Sequence, residues 1–247
     1  MKGEMHMFFF FPGILTNIVW IYLLAAVLPA VILFVYIYNQ QGAHRQPGYL
    51  MWKLFGSGAL AALLASVVEY IGTNVFNATT TLKGNEYYLV FALLVIGLIE
   101  EGMKFIFLKK NTWNDPNFET RFDGIIYAVA VGLGFAVLEN INYVFSYGLS
   151  TATLRAFTAI PGHLSFGVIM GYFYGRARYF KDTGRGTLSF LSQIAALGCA
   201  IILHGLYDAM SMINTTKSNL IFFVILIVIY LIIFRLVRHE AETDRYV

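Results

Sequence analysis

The segment YLVFALLVIGLIEEGMKFIFL, residues 88–108, is an apolar run long enough to span a bilayer, yet it contains Glu100, Glu101 and Lys104. A charged group near the bilayer centre costs roughly 2.5–3.5 kcal/mol on insertion scales, so several together usually mark a buried functional site. The segment therefore predicts a membrane helix whose charged residues point into a helix bundle and away from lipid.

The rest of the chain has the same apolar character. Hydrophobic residues make up 58% of the 247 residues and charged residues 13%, whereas soluble domains have about 45–50% and 25%. Apolar windows of membrane-spanning length recur between short polar loops. These windows are 14–38, 54–76, 88–108, 124–147, 154–175, 188–211 and 219–237. We expect an all-α, polytopic membrane protein of about seven transmembrane helices, forming a single domain over residues 1–247.

The positive charges of the loops alternate between the two sides of this predicted bundle. The loops after the first, third and fifth windows lie on the same side as the carboxyl-terminal tail. The cations of that side are Arg45, Lys53, Lys109, Lys110, Arg121, Arg176, Arg178, Lys181, Arg185, Arg235, Arg238 and Arg245. The opposite side holds Lys2, Lys83 and Lys217, with Arg155 at a helix edge. The positive-inside rule therefore places the amino terminus outside and the carboxyl terminus in the cytoplasm.

The net charge of +3 is explained by this loop asymmetry. No polar segment carries a basic patch interleaved with aromatic residues, so we expect no nucleic-acid partner. The single cysteine, Cys199, cannot form an internal disulfide. The lipid bilayer is the partner that the composition predicts.

Further ionisable side chains lie inside the predicted helices, at Glu139, His163, His204 and Asp208. Counted from the outer ends of their windows, the first three lie about seven to nine residues in, on the order of 10–14 Å at 1.5 Å per residue. The glutamate pair of residues 88–108 is somewhat deeper. The similar depth predicts one polar cluster in the outer half of the bilayer.

The glutamate pair has the chemistry of a hydrolytic base. Glu100 and Lys104 share one helix face, and Glu101 is also within reach of Lys104. A hydrolase can use such a carboxylate to take a proton from water. The alternative is a structural ion pair that joins the helices of the second and third windows, with Glu69 as a further partner. Two consecutive glutamates favour the hydrolytic interpretation, because a single ion pair needs only one.

The histidines suggest a metal. His204 and Asp208 share a helix face, and His163 follows a Pro-Gly pair at which a helix start or kink is expected. Two histidines with carboxylates are a usual donor set for zinc that leaves a position open for water. One interpretation is a zinc ion held by His163, His204 and either Glu139 or Asp208. In the other, each histidine is a neutral hydrogen-bonding partner between helices.

Glu139 follows three small residues, Gly132, Gly134 and Ala136, that permit close helix packing. Such packing would bring its face of the helix against the neighbouring helices. The alternative is that Asn142 or Tyr143 caps the carboxylate within its own helix.

Four short motifs occur in order along the chain, each within an apolar window. They are Glu100-Glu101-x-x-Lys104, Phe135-x-x-x-Glu139-Asn140, His163 and His204-x-x-x-Asp208. In order, residue type and helix placement, the chain resembles the PrsW family of intramembrane proteases over roughly residues 89–210. It resembles more distantly the CAAX prenyl protease and bacteriocin-immunity superfamily. Lys104, Glu139 and Asp208 depart from the CAAX pattern, which favours the PrsW branch and argues against prenylated substrates.

The resemblance implies a protease in a bacterial cell membrane with a family-like core at about 88–211. It implies a site-1 cleavage of a single-span anti-sigma factor near the extracytoplasmic side. The expected site residues are Glu100, Glu101, Lys104, Glu139, His163, His204 and Asp208. Water is expected to be activated by Glu100 or Glu101, with or without a zinc ion, and the choice between the two glutamates stays open.

Two other classes of protein are compatible with an apolar chain of this kind. An ion- or proton-coupled transporter could use the same carboxylates and histidines as a relay. Such transporters often show a repeated half and broken helices, and this sequence has no convincing internal repeat. A non-catalytic receptor or scaffold would leave the polar cluster unexplained.

Overall fold

The computed structural model describes residues 5–42, 45–244 and 246, and for residues 5–15 the backbone alone. All secondary-structure elements named for these residues are helices. They are α1 (Met5–Tyr38), α2 (Gly48–Thr79), α3 (Gly84–Phe91), α4 (Leu98–Thr112), α5 (Arg121–Tyr147), α6 (Leu149–Phe157), α7 (Ala159–Asp182), α8 (Gly186–Ile213) and α9 (Thr216–Glu242). A π-helical segment, Ala92–Gly97, joins α3 to α4 without a break. Lys2 and Arg245, which contribute to the charge asymmetry, lie outside the described residues.

The helices confirm the expected all-α, polytopic membrane architecture. Among the described residues, six helical stretches are long and apolar enough to cross a membrane. They are Thr16–Tyr38, Gly48–Thr79, Arg121–Tyr147, Leu149–Asp182, Gly186–Ile213 and Thr216–Glu242. The remaining window, residues 88–108, lies within the continuous helical run of α3, the π-helical segment and α4. Each of these pieces by itself is shorter than a span.

The central helix of the bundle is α5. Its apolar span is 83% buried, against 17% for the spans of α8 and α9. Glycines set its contact with α2, because a Cβ atom at Gly134 would overlap the carbonyl oxygen of Phe55 and one at Gly58 would overlap that of Val131. Gly175 of α7 meets the backbone of α5 in the same way. Small residues let membrane helices approach closely, so α5 lies pressed between α2 and α7.

A second close contact joins α8 to the π-helical segment. A Cβ atom at Gly97 would lie 3.0 Å from the carbonyl oxygen of Ile201, and one at Gly205 would lie 2.6 Å from the side chain of Leu93. A π-helical turn contains one more residue than an α-helical turn, and such turns are frequent at functional sites. Because Gly205 follows His204 directly, this contact brings His204 to the first turn of α4.

The amino-terminal end of α5 is held by a buried hydrogen-bond network. The hydroxyl of Thr120 accepts from the backbone N–H of Asp123, whose carboxylate accepts from the N–H of Thr120 at 2.7 Å. Gln46 donates to the Asp123 carboxylate at 2.7 Å and accepts from the hydroxyl of Tyr127 at 2.6 Å. Asp123 is therefore part of a helix cap at one end of the bundle.

Large apolar side chains cover the outside of the bundle. Examples are Trp52, Tyr70, Leu220 and Leu231, all strongly exposed. Soluble monomers rarely expose extended apolar surface, so this surface fits contact with lipid.

Candidate active site

The first turns of α4 place Glu100, Glu101 and Lys104 inside the bundle, where all three are buried. The ammonium of Lys104 donates to Glu100 Oε2 at 3.1 Å and to Glu101 Oε1 at 2.7 Å. It also donates to His163 Nδ1 at 3.1 Å and lies 3.9 Å from the centroid of the Phe135 ring. The three N–H groups of Lys104 thus each have a partner, which offsets part of the cost of burying its charge.

His163 of α7 connects Lys104 with Glu139 of α5. Its Nε2 lies 2.8 Å from Glu139 Oε2, and Glu139 Oε1 lies 3.0 Å from Arg155 Nη2. An ammonium group cannot accept a hydrogen bond, so His163 Nδ1 accepts from Lys104 and its Nε2–H donates to Glu139. These contacts select one neutral tautomer of His163 and tie α4, α5 and α7 together.

His204 of α8 completes the cluster. Its Nδ1–H donates to Glu101 Oε1 at 2.8 Å. Its Nε2 lies 3.3 Å from Asp208 Oδ2 and 3.9 Å from Glu100 Oε2. The Phe166 ring stacks on the imidazole with the ring centroids 4.6 Å apart. The hydrogen bond therefore fixes the rotation of this imidazole within its own plane, and the stacked Phe166 ring holds that plane in position.

Four buried side chains within the described part of the chain could together hold a metal ion. They are Glu100, Glu101, His163 and His204, with one ligand atom of each within 4.8 Å of the others. This set shares both histidines with the ligands expected from the sequence. The other expected ligands, Glu139 and Asp208, contact ring nitrogens of the two histidines. Their role as metal ligands stays a prediction.

The cluster borders a cavity of about 1030 Å³. The expected site residues on the cavity wall are Glu100, Glu139, His163, His204 and Asp208. Glu101 and Lys104 lie behind that wall. All seven residues expected from the sequence thus lie in one contiguous site, with five of them facing the space that a peptide could occupy.

Comparison with known proteins identifies the relatives of this chain. A profile described as "PrsW family intramembrane metalloprotease" matches residues 46–236. The chain belongs to the PrsW family. The PrsW resemblance drawn from the four motifs is confirmed.

Three PrsW relatives cover most of the chain. Protease PrsW of Bacillus subtilis (strain 168) is 29% identical over 207 residues, which are 84% of this chain and 88% of the relative. Protease PrsW of Shouchella clausii (strain KSM-K16) is 34% identical over 187 residues, 75% of this chain and 80% of the relative. Protease PrsW of Halalkalibacterium halodurans is 30% identical over 226 residues, 90% of this chain and 98% of the relative. No solved structure matches the chain.

Membership of the PrsW family makes this chain an intramembrane peptidase with a membrane-protein substrate. The transporter interpretation is not favoured. The bacterial relatives, together with the apolar helices, indicate a multi-pass membrane protein of bacteria.

Arg155 is a residue of this PrsW site that sequence reasoning did not include. It pairs with Glu139, donates through Nε to Asn140 Oδ1 at 2.9 Å and lies 3.9 Å from the centroid of the Tyr143 ring. Asn140 in turn donates to the carbonyl oxygen of Ala26 at 2.9 Å. The sequence offered one signal for Arg155: it is an isolated cation at a helix edge, on the side of the bundle that has few cations.

Phe166 is a second residue of the site that was not predicted from the sequence. Its ring stacks on His204 and contacts His163, with ring centroids 5.7 Å apart in the second pair. Phe166 follows His163 by three residues, so both lie on the same face of α7. That spacing is the signal that could have found it.

Proposed function

We propose that this peptidase cleaves a single-span anti-sigma factor near its extracytoplasmic side, as a site-1 protease in the bacterial cell membrane. The observation that carries the proposal is a buried cluster of glutamate, histidine and lysine beside a cavity of about 1030 Å³. Peptide hydrolysis needs a base within reach of a water and space for the substrate next to it. The anti-sigma class of substrate rests on the family resemblance.

Glu100 is the proposed general base. It faces the cavity, and its Oε2 has one close partner, the ammonium of Lys104. Glu101 lies behind the wall, and its Oε1 already accepts from Lys104 and from His204. A carboxylate oxygen held by two donors is poorly available for a further proton. We therefore assign Glu101 to positioning Lys104 and His204.

In the proposed reaction, a water in the cavity gives a proton to Glu100 while its oxygen forms a bond to the carbonyl carbon of the scissile peptide. The C–N bond then breaks, and the proton held by Glu100 passes to the leaving nitrogen. Lys104 keeps its proton throughout and orients Glu100.

The donor set fits the metal ion that the family description implies. His163 would hold it through Nδ1, in place of the hydrogen bond from Lys104, together with His204 and Glu101, and Glu100 would remain free to act as base. Glu139 accepts the Nε2 proton of His163 and would orient that ring, as carboxylates commonly do for metal-bound histidines. A bound zinc ion polarises a carbonyl group and activates a bound water.

Isosteric substitution of the two glutamates tests the assignment of the base. In a cleavage assay with a single-span substrate, we expect Glu100→Gln to lower kcat by about 10²–10⁴-fold, the range for loss of a general base. Glu101→Gln should cost less, about 10–100-fold, because the amide oxygen can still contact Lys104, His204 or a metal ion although the negative charge is lost. Glu86→Gln, at an exposed carboxylate of α3, is the control. Wild-type kcat in Glu100→Gln, or the reverse ranking, contradicts the assignment, and absence of cleavage by the wild type contradicts the proposed function.

Metal removal tests the zinc hypothesis. Purified protein should contain about one zinc ion per chain by elemental analysis, and a chelator should abolish cleavage until zinc is restored. Full activity of protein shown to be metal-free would contradict the zinc hypothesis and leave a glutamate-activated water as the mechanism.

A further inference from the structure

One face of α2 is built from small residues with a single carboxylate among them. Gly58, Ala62 and Ala65 are buried on this face, at the spacing of three or four residues that one helix face requires. Glu69 follows four residues after Ala65. Gly72 continues the face, because a Cβ atom there would lie 3.1 Å from an α4 side chain. Glu69 therefore points toward the site although it belongs to none of the four motifs.

Glu69 presents a hydrogen-bond acceptor that no described residue satisfies. Its Oε1 is buried and has no hydrogen-bond partner in the described part of the chain. The side chain lines the same cavity as Glu100 and Glu139. The ammonium of Lys104, the partner considered from the sequence, instead donates to groups of α4 and α7. A buried acceptor without a donor carries its full desolvation cost, which a donor in the cavity would relieve once the carboxylate turns about its terminal torsion toward it.

The surroundings of Glu69 place it between lipid and the cavity. Its neighbours Val67, Val68, Tyr70 and Ile71 are exposed on the outer surface of the bundle. A peptide that passes from the bilayer to Glu100 along α2 therefore passes Glu69.

A transmembrane substrate brings the complementary group. To be cut inside the bilayer, the peptide has to leave its helix, and this frees backbone N–H groups that lipid cannot satisfy. We propose that Glu69 is a substrate-binding residue that accepts a hydrogen bond from a backbone N–H of the unwound substrate beside the scissile bond. The inference rests on the proposed function and adds to it a binding contact on the α2 wall of the cavity.

Two substitutions of Glu69 separate an acceptor from a proton donor. Glu69→Leu removes the acceptor, whereas Glu69→Gln retains an amide oxygen. In steady-state cleavage of a synthetic single-span peptide, we expect Glu69→Leu to raise KM about tenfold to hundredfold, because it leaves the substrate N–H buried without an acceptor. Its kcat should change less than KM, and Glu69→Gln should keep KM within about threefold of wild type. Glu86→Leu, at an exposed carboxylate outside the cavity, should leave both constants unchanged.

A substrate series identifies the donor. Single backbone amides on either side of the scissile bond are replaced by esters, each of which removes one N–H group. One ester should raise KM of the wild type but leave KM of Glu69→Leu unchanged, because both changes remove the same hydrogen bond. A structural role of Glu69 would produce no such pairing. Glu69→Leu should also unfold at the wild-type temperature or above, because it removes a buried carboxylate oxygen that lacks a partner.

The outcomes are distinct. The proposal is overturned if Glu69→Leu has the wild-type KM. It is also overturned if every ester-substituted peptide changes KM equally in wild type and Glu69→Leu. Loss of kcat in Glu69→Gln at unchanged KM overturns it in favour of a proton-donating role. If wild-type protein cleaves none of the all-amide peptides, the proposed function fails and this proposal with it. Normal wild-type cleavage with no response to substitution of Glu69 contradicts the Glu69 proposal alone.

Discussion

Lys104 places a buried positive charge among the carboxylates of the site. Its ammonium contacts Glu100, Glu101 and His163, which are three of the four side chains able to hold a metal ion. Two adjacent buried carboxylates would repel each other without a cation between them. An added metal ion and the ammonium of Lys104 would compete for the same lone pairs.

This competition makes substitution of Lys104 informative. Lys104→Met should lower the free energy of unfolding by about 3–5 kcal/mol, the range for breaking a buried ion pair. Added Zn²⁺ should restore part of the loss, because the ion can replace the ammonium as the internal cation. Thermal unfolding in detergent, with and without Zn²⁺, measures both effects.

The control for this substitution is Lys110→Met, at an exposed lysine of the same helix. It should unfold at the wild-type temperature. An unchanged unfolding temperature in Lys104→Met would show that the internal cation is dispensable. Stabilisation by Zn²⁺ to the same extent in wild type and Lys104→Met would contradict the competition.

The residue types of the site and the pairs within one helix were predictable from the sequence, but the pairs between helices were not. Charged and imidazole groups inside apolar windows pointed to Glu100, His163 and His204 directly. The partner of His204 Nδ1, for example, is Glu101, 103 residues away along the chain. Helical spacing determines which residues share a face, but it does not determine how one helix is rotated against another.

At the scale of elements, α5 aligns the site through its contact with α2. A Cβ atom at Gly134 would overlap the carbonyl oxygen of Phe55, so Gly134→Ala should force the two helices apart. We expect a loss of about 1–3 kcal/mol, as for other overpacking substitutions. We also expect a lower kcat, because Glu139 lies further along the displaced helix. Thermal unfolding and the cleavage assay measure the two effects.

The matched control is Gly198→Ala in α8, where a Cβ atom would meet nothing within 4 Å. Alanine is favoured over glycine inside a helix by about 1 kcal/mol, so this variant should be as stable as wild type or more so. Equal stability of Gly134→Ala and Gly198→Ala would argue against close packing of α2 on α5.

The apolar windows predicted the helices but not their interruptions. Each window lies in helical structure, because a run of membrane-spanning length must satisfy its backbone hydrogen bonds internally. The π-helical segment Ala92–Gly97 was not predicted, whereas the start of α7 at Ala159 lies two residues before Pro161, near which a helix start or kink was expected. The π-helical segment coincides with contacts to α8 at Gly97 and Gly205, and hydropathy carries no information about such contacts.

At the scale of the whole molecule, the loop charges predict the orientation in the membrane. We propose that the α2–α3 loop lies outside the cell and the α7–α8 loop in the cytoplasm. In a Cys199→Ser background, an impermeant maleimide should label Asn85→Cys in intact cells and Thr183→Cys only after lysis. Both positions are exposed. The opposite labelling pattern would reverse the orientation and place the site toward the cytoplasmic face.

The deep burial of α5 has a consequence for how the protein is made. A helix inserted from the ribosome first meets lipid, but 83% of the α5 span is covered in the finished bundle. Its glycine contact with α7 involves Gly175, and the cluster also needs His204 of α8, so neither contact exists until those later helices have been synthesised. The nascent chain therefore cannot assemble the complete cluster of buried side chains until α8 has been synthesised.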